Sequence, residues 1–123
     1  MTQTASKPLT QGTNARTSFL GSSVATYYTV PSSPDNAITR VTGVILANTD
    51  TSARTVRVHN VDDGASAAAS NAILYDVSVA ANTTLALCFG DGVWIMTKNM
   101  TVQALADSAN KVTITLCGDE VTP

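Results

Sequence analysis

Charge is scarce in this sequence: only 13% of its 123 residues are Asp, Glu, Lys or Arg. Seven Lys and Arg face nine Asp and Glu, a formal net charge of −2, which argues against a basic nucleic-acid binder. Glutamate occurs once, at Glu120, and histidine once, at His59. So little Glu and Lys points away from helices. No apolar run approaches the roughly twenty residues that a membrane-spanning helix needs, so no membrane partner is expected. The opening residues, Met1 to Lys7, lack an apolar stretch, so no secretory signal is expected. With no such signal, two sparse cysteines, Cys88 and Cys117, read as reduced thiols rather than a disulfide framework. At 44% hydrophobic the chain is too apolar for disorder, and its length suits one domain.

What the chain does have is Thr, Val, Ala and Ser. Thr and Val are stiff at the first side-chain torsion and fit a pleated surface, so strands are expected. Residues 1–16 show no periodicity and almost no large apolar side chain, and read as a flexible or extended N-terminal arm. Residues 17–123 read as the folded domain. Val24–Val30 is a strand closed by the turn formers of Pro31–Asn36. Ala37–Ala47 is a long strand, apolar on both faces towards its end and therefore central, with Gly43 a bulge or a point of close approach. The two faces read as Ile38, Arg40, Thr42, Val44 and Leu46 against Thr39, Val41, Gly43, Ile45 and Ala47.

Thr55–Val61 follows with Val56 and Val58 inward and Arg57 and His59 outward. Ala65–Asn71 is a loop with room for one helical turn. Ala72–Val79 places Ile73, Tyr75, Val77 and Val79 on one face. Thr83–Phe89, Val93–Thr97, Met100–Ala106 and Lys111–Cys117 complete the set, separated by turns at Asn82, Gly90–Gly92, Asn99 and Asn110. About eight short strands at this rhythm predict an all-β fold, a single antiparallel β-sandwich of jelly-roll or immunoglobulin-like type.

Candidate chemistry is thin. A nucleophilic mechanism would have to use His59, which sits beside Arg57 on a polar face with no nucleophile nearby, and reads as a solvated histidine. One His and two distant Cys make no zinc spacing. Asp62-Asp63-Gly64 reads as turn chemistry and not a calcium loop, which would need a bidentate Glu. Adjacent Asp119 and Glu120 point to opposite faces of a strand and cannot flank one bond. Gly90-Asp91-Gly92 lacks the third glycine of a phosphate site. Asn82-Thr83-Thr84 and Asn99-Met100-Thr101 match the glycosylation pattern by coincidence. No enzyme, metal or cofactor is expected. A surface of short Thr, Ser and Ala side chains loses little rotamer entropy on contact, and low net charge gives little protection against association. Both favour a subunit of a larger assembly.

The runs Tyr28-Thr29-Val30-Pro31, Val44-Ile45-Leu46-Ala47-Asn48-Thr49 and Thr55-Val56-Arg57-Val58 resemble small virion structural proteins of tailed bacteriophages. Val77 to Leu85 and Val112 to Thr122 are similar too. The likeness covers Val24 to Thr122, with Cys117 and the Ala65–Asn71 insertion departing from the pattern. It implies a phage capsid decoration (cement) protein, located in the virion and made in the cytoplasm of the bacterial host. The implied partners are the major capsid protein or other virion proteins, and a homo-oligomer, a trimer first of all. Capsid or oligomer contacts are expected at Lys7, Arg16, Tyr27 and Tyr28. Two rivals stand beside it: a neck, collar or tail accessory protein, and a carbohydrate-binding β-sandwich stacking sugars on Trp94 or Tyr28.

Overall fold

In the computed structural model, residues 5–8, 17–32, 37–90 and 92–122 are described. Among them the Thr- and Val-rich segments form ten strands. These are β1 (Ala5–Pro8), β2 (Thr17–Phe19), β3 (Ala25–Thr29), β4 (Ile38–Asn48) and β5 (Arg54–Val61). They continue with β6 (Ala72–Val79), β7 (Thr84–Cys88), β8 (Ile95–Thr97), β9 (Thr101–Ala106) and β10 (Val112–Thr122). A single 3-10 turn, Ala69–Asn71, is the helical turn for which the 65–71 loop had room. The turn asparagines Asn82, Asn99 and Asn110 take positive φ of 53°, 65° and 61°, a conformation that Asn tolerates better than most residues.

The strands pair antiparallel into two sheets. The first is ordered β1-β10-β4-β7, with β2 also on β10 and β8 also on β4; the second is ordered β3-β9-β5-β6. From β2 onward the chain changes sheet at every connection except β5 to β6 and β7 to β8. That repeated crossing is jelly-roll topology rather than immunoglobulin topology, with β1 and β8 added to the eight jelly-roll strands. Of residues 1–16, Ala5–Pro8 pairs in register with Asp119–Thr122, and the rest of the expected arm lies outside the described residues.

The core lies between the sheets. Val112, Ile114 and Leu116 of β10, Val56 and Val58 of β5, and Val102, Ala104 and Ala106 of β9 are all buried, each at period two. Tyr28, Val30, Leu20, Trp94 and Met96 fill the remaining space. Each large apolar side chain so buried contributes about 1.5–3 kcal/mol. At the end of β4, Asn48 donates from Nδ2 to the carbonyls of Ser52 and Val79 at 2.9 and 3.0 Å, and its Oδ1 accepts from the Asp50 amide. One buried side chain thus ties the β4–β5 turn to the end of β6.

Bulges shift the expected faces. In β4 the buried side chains are those of Thr39, Val41, Val44, Leu46 and Asn48, and Gly43 is buried beside Val44. The phase jumps at Thr42–Gly43, opposite the register shift between Cys117 and Gly118. Gly118 is required there, since a Cβ would lie 2.1 Å from the Arg40 carbonyl oxygen. In β6 the expected face of Ile73, Tyr75, Val77 and Val79 does not form. Asp76 adopts φ 54°, and Tyr75 and Asp76 together oppose the single residue Arg57. Val79 is therefore buried and Val77 half-buried, while Ile73 and Tyr75 are exposed.

Candidate functional site

The residues singled out from sequence do not meet in one place. Arg16 lies outside the described residues, and Lys7 is placed only by its backbone pairing with Glu120. Tyr27 and Tyr28 are interior, 5% and 1% exposed, and offer a partner almost no surface. Period two alone would turn one of two adjacent tyrosines outward. The register shift between Thr26 and Tyr28 admits an extra residue and lets both turn inward. The Tyr27 hydroxyl accepts from the Gly21 amide at 2.9 Å.

Tyr28 belongs to a buried polar cluster that sequence reasoning missed. Its hydroxyl donates to Glu120 Oε2 at 2.7 Å and lies 2.6 Å from Thr39 Oγ1. Burial pushes the Tyr28 hydroxyl far above the ordinary tyrosine value and the nearby carboxylate adds to the rise, while the Thr39 bond opposes it. The hydroxyl therefore keeps its proton and remains a donor. Glu120 is 4% exposed, whereas its neighbour Asp119 faces the other way and binds Arg40 through two hydrogen bonds of 3.1 and 2.5 Å. The only signal for the cluster was a lone Glu in a chain that otherwise avoids Glu.

His59 is not solvated. Strand alternation does direct it away from Val58, but the Ala65–Asn71 loop folds over it and leaves it 3% exposed. Trp94, 5% exposed and packed edge-on against Phe89, is part of the core, so neither it nor Tyr28 forms a sugar-stacking platform. No group of three or more His, Cys, Asp or Glu that could hold a metal occurs among the described residues.

The surface that stands out is the outer side of the first sheet. Strand register aligns Phe19, Thr113, Ala47 and Thr84 in one row, and Thr115, Ile45 and Ala86 in the next. A third row holds Cys117, Gly43 and Cys88. None of these residues is charged. Both thiols are free, Cys88 being exposed. They sit two strand spacings apart, about 10 Å, beyond the roughly 7 Å Cα separation that a disulfide tolerates.

This face ends on β7, which forms one edge of the sheet. The Asn48 amide donates to Thr83 and the Phe89 amide to Thr42, so odd-numbered residues of the strand address β4. The backbone groups of Thr84, Ala86 and Cys88 point outward. Edge strands invite further pairing unless something blunts them. Of the other edges, β3 is blunted by its bulge and the following Pro31, β6 by its bulge and Asp76, β1 by Pro8, and β2 and β8 by their length of only three residues. β7, Thr-Leu-Ala-Leu-Cys, has no bulge, proline or charge.

No family model matches this chain, and no curated protein matches it. Solved structures do resemble it in fold. A chain of the Bacillus endospore appendages, described as a novel family of disulfide-linked pili, is 12% identical, with a TM-score of 0.50 over 97% of this chain and 85% of that one. A chain of the T13 infectious bursal disease virus particle is 7% identical, with a TM-score of 0.50 over 96% of this chain and 30% of that one. A chain of the Gt strain of that virus is 8% identical, with a TM-score of 0.47, covering 97% and 31%. The chain thus spans about a third of the length of the viral chains it matches. At these identities the likeness is one of fold.

Proposed function

We propose that this chain is a structural subunit of a virion, acting as a capsid decoration protein that binds the lattice of the major capsid protein as a homo-oligomer. The observation that carries the reading is the unblunted β7 edge beside three uncharged rows of the outer sheet face. Adding a strand there supplies partners for the outward backbone groups of Thr84, Ala86 and Cys88. The short Thr, Ala and Cys side chains next to it are ordered at little entropic cost. Because such a subunit binds the assembled lattice and not its separate parts, mass action stabilises the shell. The two fold neighbours with a TM-score of 0.50 come from a pilus and a virus particle, both repetitive protein assemblies, and this supports the reading.

The test is Ala86→Pro. The substitution removes an amide that points away from β4, so the fold is retained while strand addition is blocked. The wild-type chain is expected to sediment as an oligomer, a trimer first of all, and to co-sediment with purified phage capsids. The variant is expected to keep its β-sheet circular dichroism and lose both properties. A wild-type chain that stays monomeric and ignores capsids, or a variant that binds as well as wild type, refutes the proposal. A neck, collar or tail location would appear as a dozen or fewer copies per particle instead of hundreds.

A further inference from the structure

On the far side of the molecule, over the outer face of the second sheet, lies a recess of about 320 Å³. Val24 and Leu105 supply apolar wall, and the loop alanines 67–69 close one side. Arg57, His59 and Tyr75 supply its polar and aromatic groups. The Arg57 guanidinium carbon lies 4.1 Å above the centre of the Tyr75 ring, and His59 meets the same ring edge-on at 6.4 Å. Tyr75 remains 47% exposed, so an aromatic side chain is open to a ligand. The β6 bulge is what brings it here, where it cannot join the core.

His59 shows which ligand chemistry the recess takes. Its Nδ1 lies 3.0 Å from both the Ala68 carbonyl and Asn71 Oδ1. The Asn71 amide is oriented by two further bonds: Oδ1 accepts from the Ala68 amide and Nδ2 donates to the Ser66 carbonyl. Both neighbours of Nδ1 are therefore acceptors, and Nδ1 carries the proton. In the neutral ring that leaves Nε2 as an acceptor, and it has no partner among the described residues although His59 is 97% buried. Unlike Asn60 Oδ1 and Trp94 Nε1, this nitrogen is not sealed from solvent, and a ligand that covered it without donating a hydrogen bond would leave it unsatisfied at a cost. Arg57 engages Asp76 through Nε and Nη2 at 2.7 and 3.1 Å and also interacts with the Tyr75 hydroxyl, which still leaves guanidinium N–H groups to donate. An anion is disfavoured because Asp76 already neutralises Arg57 and stands exposed at its side. A purely apolar ligand would leave Nε2 unsatisfied.

We infer that this recess binds a neutral, hydroxyl-bearing ring, a single pyranose being the best fit. A hydroxyl donates to His59 Nε2 and accepts from Arg57, and the sugar's C–H face packs on Tyr75, Val24 and Leu105. The site is independent of the β7 edge, so either assignment can fail alone. The experiment titrates methyl glucoside, galactoside, mannoside and N-acetylglucosaminide into ¹⁵N-labelled full-length protein, reading the backbone amides and the His59 side-chain nitrogens by NMR. At least one glycoside should bind with Kd of about 1 mM, shifting His59 Nε2 and the amides of residues 67–69 saturably. Tyr75→Ala, at an exposed position, should weaken that binding about tenfold or more. The inference is overturned by the absence of saturable shifts with all four glycosides, or by shifts that leave His59 Nε2 unmoved. It is overturned equally by shifts that persist in Tyr75→Ala, or by a response to sodium phosphate that the glycosides do not give.

Discussion

Replacing Tyr28 with Phe removes one oxygen from the most enclosed polar cluster of the domain. The ring is 1% exposed, Thr39 is fully buried and Glu120 is 4% exposed, so no solvent is at hand to replace the hydroxyl. Two short hydrogen bonds disappear, one of them to a carboxylate. A bond to a charged group is worth about 1.5–3 kcal/mol and the loss of a buried partner adds to it, so a destabilisation of about 2–3 kcal/mol is expected. At about 2.1 cal/mol/K of unfolding entropy per residue, that loss lowers Tm by roughly 8–12 °C. Urea unfolding followed by Trp94 fluorescence measures it directly, since the indole is buried only in the folded state. The Tyr28→Phe, Glu120→Gln double-mutant cycle should return a coupling of about 1–2 kcal/mol. A loss below about 0.5 kcal/mol, or no coupling, would show that the hydroxyl does not hold the carboxylate and would refute the reasoning.

Three further outcomes follow from the same geometry. The raised Tyr28 ionisation means that the unfolded chain gives up this proton before the folded chain does. Stability is therefore complete below about pH 10 and falls as pH rises beyond it; alkaline unfolding curves should show the fall flattened in Tyr28→Phe. Gly118→Ala should destabilise by about 2–3 kcal/mol, because its Cβ meets backbone at 2.1 Å. Gly43→Ala, whose nearest contact is 3.2 Å, should cost about 1 kcal/mol. Both thiols should react with a thiol reagent in the unfolded protein and Cys88 first in the folded protein, with no intrachain disulfide on a non-reducing gel.

Much of the architecture was legible in residue order. Val112, Ile114 and Leu116, and likewise Val56 and Val58, alternate as a half-buried strand must, and the structure buries all five. Asn82, Asn99 and Asn110 marked turns because few other residues accept positive φ there. These are local matters, settled by side-chain shape and by backbone sterics. Where the period broke, the sequence was silent. Tyr27 and Tyr28 read as candidate contacts, yet one bulge turns both inward, and another sends Tyr75 outward that simple alternation would have hidden.

The same limit applied to everything that depends on distant partners. Nothing near His59 in sequence announces that a loop ten residues on will cover it, fix its tautomer and leave Nε2 unpaired. Nothing near Glu120 points to a tyrosine ninety-two residues earlier. Nor can β7 be known as the unguarded edge until the strand order is known. Composition and period two determined that this chain would be a two-layered β-sandwich, because each residue's torsional preference is its own. Tertiary structure alone decided which strand lies at an edge and which polar groups are buried together, because pairing and burial belong to neighbours that only folding brings into contact.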